Sequence, residues 1–326
     1  MDKRFAVVEF GTRGVRLLVA DASPAGISQV IHSTGGFSEL GRNQDDKGNL
    51  AKETFELSKK QATEYVQIAQ QKGAKEVFGF ATEAVRSAPN RQDFFDALSP
   101  IVEVKVLEYE EEALCSFIAS VETFRHYLPP QKLALVIDQG GGSIELAYGY
   151  IDEDGIIVVR GRGSFPLGTI RLTKQFAEAD SLQEGFSKAK KMIQKEISKH
   201  TPFKELIAKK PFATFGLGSA ITKLAEGLNA QVQKTRKNVH GQFIDIETIR
   251  RVVLATHKEV KRSKEKIVKG IGVDGDKATL IGGVLTFHDV LNLYNCKGVT
   301  VSRRGLRYGV LLAHAGLKYR IENSDV

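Results

Sequence analysis

The stretch ALVIDQGGGSIELAYG, residues 134–149, reads as an apolar strand, one carboxylate near its end (Asp138), a turn of three glycines and a serine, and a second apolar strand. Apolar and β-branched residues mark the strands, and consecutive glycines mark the turn. The same plan stands earlier in the chain. AVVEFGTRGVRLLVA, residues 6–20, has an apolar strand, Glu9 in the place of Asp138, the turn Gly11-Thr12-Arg13-Gly14, and again an apolar strand. Two such openings in one chain point to an internal duplication, with two like domains facing each other across a cleft.

Around the first opening, strands at 5–10, 15–20 and 27–32 form an antiparallel meander. A helix over 50–72, a strand at 76–81, a helix at 91–98, a strand at 102–108 and a helix at 111–124 follow. This order joins an antiparallel edge to crossover units whose strands should run parallel. Around the second opening come strands at 133–137, 144–150 and 156–161, helices at 181–200 and 204–209, a strand at 212–215 and a helix at 219–228. Residues 168–170 read as loop. His126-Tyr127-Leu128-Pro129-Pro130 breaks the chain between the halves, because the residue before a proline is pushed out of the helical region. The expectation is an α/β chain with one domain at 1–126 and a second at 127–305, hinged near 125–131. A last helix within 306–326 would pack back onto the first domain. Each domain would carry a mixed five-stranded sheet.

Composition agrees with a folded two-domain chain: 326 residues, 42% hydrophobic and 26% charged, too long for one ordinary core. No stretch reaches the roughly 18 apolar residues of a membrane helix, and the apolar run at the N-terminus is too short for a signal peptide. A cytoplasmic protein without membrane association is expected. Cys115 and Cys296 stand apart, with no CxxC or Cys/His spacing, so neither a disulfide framework nor a zinc site is indicated. No GxxxxGK[ST] stretch occurs, which argues against a P-loop nucleotidase, and no dedicated nucleic-acid motif is present.

The net charge of +8 is uneven: residues 1–150 hold 16 Lys and Arg against 21 Asp and Glu, and the remainder is strongly basic. A basic half fits an anionic partner. On charge alone, solvated lysine-rich helices such as 188–200 and 257–269 account for it better.

The glycine turns carry the chemistry. Gly140-Gly141-Gly142-Ser143 would expose backbone N–H groups to an anion with no Cβ in the way, which suits a phosphoryl group. Asp138, at the strand end, is a hard oxygen ligand suited to Mg²⁺. Gly11-Thr12-Arg13-Gly14, preceded by Glu9, holds the matching place in the first half. Gly216-Leu217-Gly218-Ser219 joins a strand to a helix, whose N-terminus attracts anions. Glu110-Glu111-Glu112 opens a helix, where carboxylates complement the macrodipole or where one of them polarises a water; spacing does not select which. Arg13, Arg16, Arg86, Arg171, Arg303, Arg304 and Arg307 fall near turns or strand ends and suit bidentate phosphate contacts.

Together these residues resemble the exopolyphosphatase/guanosine pentaphosphate phosphohydrolase family, in a short form, within the actin/Hsp70-like superfamily. Residues 9–18, EFGTRGVRLL, are similar to that family's opening D-x-G-[ST]-N-S-x-x-L. Residues 81–90, ATEAVRSAPN, match A-T-[SE]-A-x-R-x-A-x-N, and residues 110–113, EEEA, match its E-E-A helix start. Residues 136–145, VIDQGGGSIE, match V-I-D-x-G-G-G-S-T-E. Leu40-Gly41, Pro166-Leu167-Gly168 and Gly305-Leu306-Arg307 complete the series.

The resemblance implies two ribonuclease H-like domains with a phosphate chain and Mg²⁺, or another divalent cation, in the cleft between them. It implies Glu112 as the base that activates water and Glu145 acting beside it. Asp138 and Glu9 would hold the metal. Gly11, Thr12, Arg16, Arg86, Gly140, Gly141, Gly142, Ser143, Gly218 and Ser219 would bind phosphate. The implied partners are inorganic polyphosphate or a guanosine penta- or tetraphosphate, and a homodimer is allowed.

The chain departs from the pattern where Glu9 replaces Asp, Arg13-Gly14 replaces Asn-Ser, Ile144 replaces Thr, Gly218-Ser219-Ala220 replaces Gly-Gly-Thr, Leu114 replaces Arg and Tyr308 replaces Glu. A short form without the further C-terminal domains of longer members is expected. The expected activity is Mg²⁺-dependent removal of terminal phosphate from polyphosphate or guanosine pentaphosphate. The alternative is a low-turnover alarmone or polyphosphate binder, and a more remote one is a sugar or acetate kinase of the same superfamily.

Overall fold

The first strand, β1 (Lys3–Phe10), is buried from Phe5 to Phe10, as a central strand covered on both faces must be. β2 (Gly14–Ser23) and β3 (Gly26–Phe37) continue it as an antiparallel meander. The chain is described in a computed structural model at every residue except 13, 39, 42–43, 180, 234–237, 256–274 and 323–326. After the meander come α1 (Lys52–Gln71), β4 (Glu76–Ala81), the one-turn α2 (Glu83–Arg86), α3 (Arg91–Leu98), β5 (Val104–Val106) and α4 (Tyr109–Thr123). β4 lies parallel to β1 and β5 parallel to β4, giving the order β3-β2-β1-β4-β5.

Ser58, Ala62, Tyr65 and Ala69 recur at helical spacing along α1 and are its buried stripe. One face of this sheet packs in a cluster with Tyr65, Phe94 and Leu98. On the other face Phe5, Val7, Leu18 and Phe80 pack with Leu311 of α11 (Leu306–His314). At Gly309 a Cβ would lie 1.8 Å from the Cys115 carbonyl oxygen, so this helix approaches α4 at a point that only glycine permits.

The second sheet begins after a single 3₁₀ turn (Arg125–Tyr127) with β6 (Ala134–Gln139), β7 (Ile144–Ile151) and β8 (Ile157–Phe165). α5 (Thr169–Ala177), α6 (Leu182–Ile197), α7 (Thr201–Lys209), β9 (Ala213–Leu217) and α8 (Ser219–Gln233) follow. Then come β10 (Phe243–Asp245), α9 at 246–255, α10 (Gly275–Leu293) and β11 (Gly298–Val301). The last strand, β12 (Tyr319–Ile321), returns to pair with β8. The sheet has seven strands, β10-β11-β9-β6-β7-β8-β12. Its central five have the expected mixed plan, and β10 and β12 extend it by one short strand at each edge.

The duplication is preserved to the residue. Glu9 pairs with Arg16 and Phe10 with Val15 across β1–β2; Asp138 pairs with Glu145 and Gln139 with Ile144 across β6–β7. Each turn between them has four residues and is closed the same way, Gly11 N–H donating to the Gly14 carbonyl and Gly140 N–H to the Ser143 carbonyl, both at 3.0 Å.

Several elements differ from the sequence expectation. Part of the 168–170 stretch expected as loop belongs to α5 (Thr169–Ala177): Leu172 N–H donates to the Gly168 carbonyl and the Leu172 side chain is buried. α4 starts at Tyr109, two residues early, because Glu111 turns back to accept from Glu108 N–H at 2.8 Å and caps it. α10 contains Gly282-Gly283, which reads as a breaker. There a Cβ on Gly282 would come within 2.3 Å of the Thr169 carbonyl and one on Gly283 within 2.2 Å of Ala220 Cβ, so the pair seats α10 against α5 and α8. The lysine-rich segment 257–269 lies outside the described residues.

Two compact units emerge, Met1–Cys115 with Leu306–Lys318, and Ser116–Gly305 with Tyr319–Val326. The division falls inside α4 instead of at residue 126: the helix up to Cys115 groups with the first unit, where Gly309 of α11 lies against Cys115. The tail also divides: α11 belongs to the first unit, whereas β12 is a strand of the second. Among the described residues no helix is long and apolar enough to cross a membrane.

Candidate functional site

In the first unit Glu9 sits at the end of β1 with only 8% of its surface exposed. Arg16 Nη1 donates to Glu9 Oε1 at 3.3 Å, and Arg307 Nε lies 3.1 Å from Glu9 Oε2. Arg307 Nη1 also donates to the Leu17 carbonyl at 3.0 Å. Burial holds the Arg307 guanidinium below the ordinary arginine pKa, and Glu9 works in the opposite sense. Both Glu9 oxygens thus face guanidinium groups. That setting fits an anchor for two arginines, not the metal ligand expected from the sequence, because the charge a cation would neutralise is already neutralised. Gly11 lies against Glu9, with room for a Cβ only at 3.3 Å from Oε1. Thr12 is exposed, and its carbonyl accepts from Gly41 N–H at 2.9 Å. Arg13 lies outside the described residues.

Arg86 and Glu112 form the other constellation of this unit. Arg86 is buried at the end of α2, and its Nη1 donates to the Leu107 carbonyl and, at 2.5 Å, to Glu112 Oε1. Nη2 donates to Glu83 Oε2 at 2.8 Å, and the guanidinium carbon lies 3.6 Å from the Tyr109 ring centroid. Burial opposes the Arg86 charge, but the contacts with Glu112 and Glu83 outweigh it and raise its pKa. The three-glutamate run is resolved by this geometry. Glu110 is exposed, Glu111 is held by Lys105 Nζ at 2.7 Å and by its cap, and Glu112 alone meets Arg86.

In the second unit Ser116 Oγ donates to Asp138 Oδ2 at 2.6 Å. Glu145, 7% exposed, accepts at Oε1 from Ser143 Oγ at 2.7 Å and Ser164 Oγ at 2.8 Å. The glycine turn is braced from behind: Gly168 N–H donates to the Gly142 carbonyl at 3.0 Å and Thr169 N–H to the Gly140 carbonyl at 3.1 Å. A Cβ at Gly168 would stand 2.2 Å from the Gly141 carbonyl, whereas one at Gly142 would meet nothing within 4 Å. One side of the turn is therefore packed and the other open. Beneath it the buried Gln139 donates from Nε2 to Thr286 Oγ1 at 3.0 Å. Gly140 N–H is used to close the turn, so it is not a donor for an anion.

The third turn passes through Gly218 at φ +99°, where a Cβ would lie 2.2 Å from the Gln139 carbonyl; Ser219 is exposed at the start of α8. Structure thus brings this turn to the same strand end as Asp138–Gln139. Arg171 donates to the Pro166 carbonyl at 3.0 Å, and Arg303 N–H donates to His240 Nδ1 at 3.2 Å. Neither contact joins them to these constellations. Sequence reasoning missed Ser116, Ser164, Glu83 and Tyr109, and only Glu83 stood inside a quoted motif.

Among the described residues no group of three or more His, Cys, Asp or Glu side chains converges as a metal cage. Mg²⁺ does not need one, since it commonly takes one or two carboxylates and completes its shell with water and substrate phosphate. The acidic pair Asp138 and Glu145, on facing register positions beside an open glycine turn, fits that donor set; Glu9 does not.

The Ppx/GppA phosphatase family model matches residues 18–317. Exopolyphosphatase 1 of Mycobacterium tuberculosis is 32% identical over 179 residues, 54% of this chain and 50% of the relative. Exopolyphosphatase 2 of the same organism is 29% identical over 207 residues, 60% and 61% of the two chains. The match thus spans about half the length of the first of these relatives. The solved Aquifex aeolicus PPX-GPPA enzyme is 26% identical with a TM-score of 0.78, covering 96% of this chain and 100% of that one. An exopolyphosphatase from Cytophaga hutchinsonii, at 21% identity and TM-score 0.74 over 97% and 99%, shares the fold.

Proposed function

The chain belongs to the Ppx/GppA phosphatase family, and on that footing we propose that it is a phosphohydrolase removing terminal phosphate from inorganic polyphosphate or guanosine pentaphosphate. The observation that carries this reading is the Arg86–Glu112 pair: of three adjacent glutamates, one meets the arginine of the 81–90 motif.

In this reading Glu112 accepts the proton of the attacking water, and Arg86 holds a phosphoryl oxygen near it. The pairing holds the Glu112 carboxylate in place beside Arg86. Gly141, Gly142 and Ser143 contribute backbone donors to the phosphoryl oxygens on the open side of their turn. Mg²⁺, held by Asp138 with Glu145 beside it, would neutralise phosphate charge. Ser116, Ser143 and Ser164 orient those two carboxylates. The basic character of the second half favours a polyanion.

A phosphate-release assay with defined-length polyphosphate, guanosine pentaphosphate and ATP, each with and without Mg²⁺, tests the proposal. Release should need the metal and fall by about 10²-fold or more in Glu112→Gln; undiminished release in that variant removes Glu112 from the reaction. One observation favours the low-turnover alternative, namely that Glu9 is taken up by two arginines. Tight binding of guanosine pentaphosphate with no release over long incubation would select it.

A further inference from the structure

Two carboxylates hold Arg86, and the more exposed of them, Glu83, is the one bonded to Nη2. We propose that Glu83 is an internal competitor for the phosphoryl group at Arg86 and sets the affinity of the site for phosphate. This rests on the reading that Arg86 binds phosphate.

The donors of Arg86 are unequal. Nη1 is divided between the Leu107 carbonyl and Glu112, whose side chain is 12% exposed. Nε is buried and, among the described residues, has no hydrogen-bond partner. The Tyr109 ring lies against the guanidinium, 3.6 Å from its carbon. Nη2 is bonded to Glu83 Oε2 at 2.8 Å, and Glu83 is 40% exposed while the Arg86 side chain is 7% exposed. An arriving phosphoryl oxygen therefore reaches Arg86 at Nη2 and must displace Glu83 or share that nitrogen with it.

Glu83 is suited to yield. It is the first residue of α2 and stands three residues from Arg86, so it returns as soon as phosphate leaves, tethered at high effective concentration. A pair with one water-exposed partner is weak, and two anions at one donor repel. Glu112, by contrast, is enclosed and stays with Nη1. The arrangement separates the two carboxylates by role: one fixes Arg86 and the other contests it. Since product and substrate present the same phosphoryl oxygens to Nη2, Glu83 also speeds phosphate departure.

The test measures inorganic phosphate binding by calorimetry and polyphosphate hydrolysis by phosphate release in wild type, Glu83→Gln and Glu83→Asp. Aspartate keeps the charge, but it is one methylene shorter and loses its hold on Nη2. Both variants should lower the phosphate Kd and the polyphosphate KM by about two- to sixfold, with kcat unchanged or reduced. Thermal unfolding is followed in parallel. Unchanged or weaker phosphate binding in both variants, with a lowered Tm, would show a brace for α2 and overturn the proposal. Tightened phosphate binding without hydrolysis in wild type would sink the phosphohydrolase reading and leave this one standing. Hydrolysis in wild type with no change in Glu83→Gln would do the reverse.

Discussion

Arg307, on α11, places its Nε 3.1 Å from Glu9 Oε2 on β1, joining two residues from opposite ends of the sequence inside one unit. Glu9 had the sequence position of a metal ligand, and this contact gives it another task. Glu9→Gln should leave Arg307 buried without its counter-charge and cost about 3 kcal/mol of stability, read from denaturant unfolding. If Glu9 were a metal ligand, the Mg²⁺ concentration for half-maximal phosphate release would rise strongly in that variant. We expect it to stay within about twofold of wild type, since the charge is spent on arginine.

Ser164 makes a smaller but more local prediction. Its hydroxyl and that of Ser143 both donate to Glu145 Oε1, and Glu145 is buried. Ser164→Ala removes one of two donors from a buried carboxylate, a loss of about 1–3 kcal/mol. The same change frees Glu145 to reorient, so phosphate release should fall while the protein remains folded. Activity equal to wild type at full folding would show that Glu145 orientation does not matter to turnover.

The pair of hairpins was legible because it rests on local signals: apolar strands, a carboxylate and glycines at fixed offsets. Register then followed, Glu9 opposite Arg16 and Asp138 opposite Glu145. What was not legible came from distance in the chain. Arg307–Glu9 and Ser116–Asp138 are contacts that no spacing rule supplies. α10 was missed because Gly282-Gly283 is a breaker by propensity, and only its packing against Thr169 and Ala220 explains it. The domain boundary was put between residues 126 and 127, beside the break at Pro129-Pro130, whereas contacts divide α4 at Cys115, because a helix can serve two cores without any local mark. Glu112 was chosen from its run by resemblance; the structural reason, that Glu111 is spent on the cap and Lys105, lies in geometry.

Asp289 predicts a pH dependence outside the phosphate constellations. It is buried on α10, its Oδ2 has no hydrogen-bond partner among the described residues, and Oδ1 lies 2.8 Å from His288 Nδ1. Burial raises its pKa above the ordinary aspartate value, against the opposing pull of His288 and Lys190. A carboxyl that binds its proton more tightly folded than unfolded contributes stability below its unfolded pKa. That contribution is lost as pH rises through the folded value. Asp289→Asn should therefore be more stable than wild type at neutral pH, the gap closing as pH falls toward the unfolded aspartate value. Denaturant unfolding across that range checks it, and a constant gap would show that packing, not ionisation, is responsible.

The glycine turn offers two substitutions with the same added atom and opposite expectations. At Gly168 a Cβ would stand 2.2 Å from the Gly141 carbonyl and Gly142 carbonyl carbon. Gly168→Ala must push the turn outward, at about 1–3 kcal/mol by analogy with overpacked interiors. At Gly142 a Cβ meets nothing within 4 Å, and no positive φ is required there. Gly142→Ala should fold as well as wild type, with a slight gain from a less flexible unfolded chain. Its methyl group nonetheless stands on the open side, where the phosphoryl oxygens would approach the backbone. Phosphate release should then fall at least tenfold, with unchanged unfolding, because a backbone anion site tolerates no side chain in its mouth. Normal release in Gly142→Ala would place the phosphoryl group elsewhere, and the amides of this turn would lose their assigned part in the reaction.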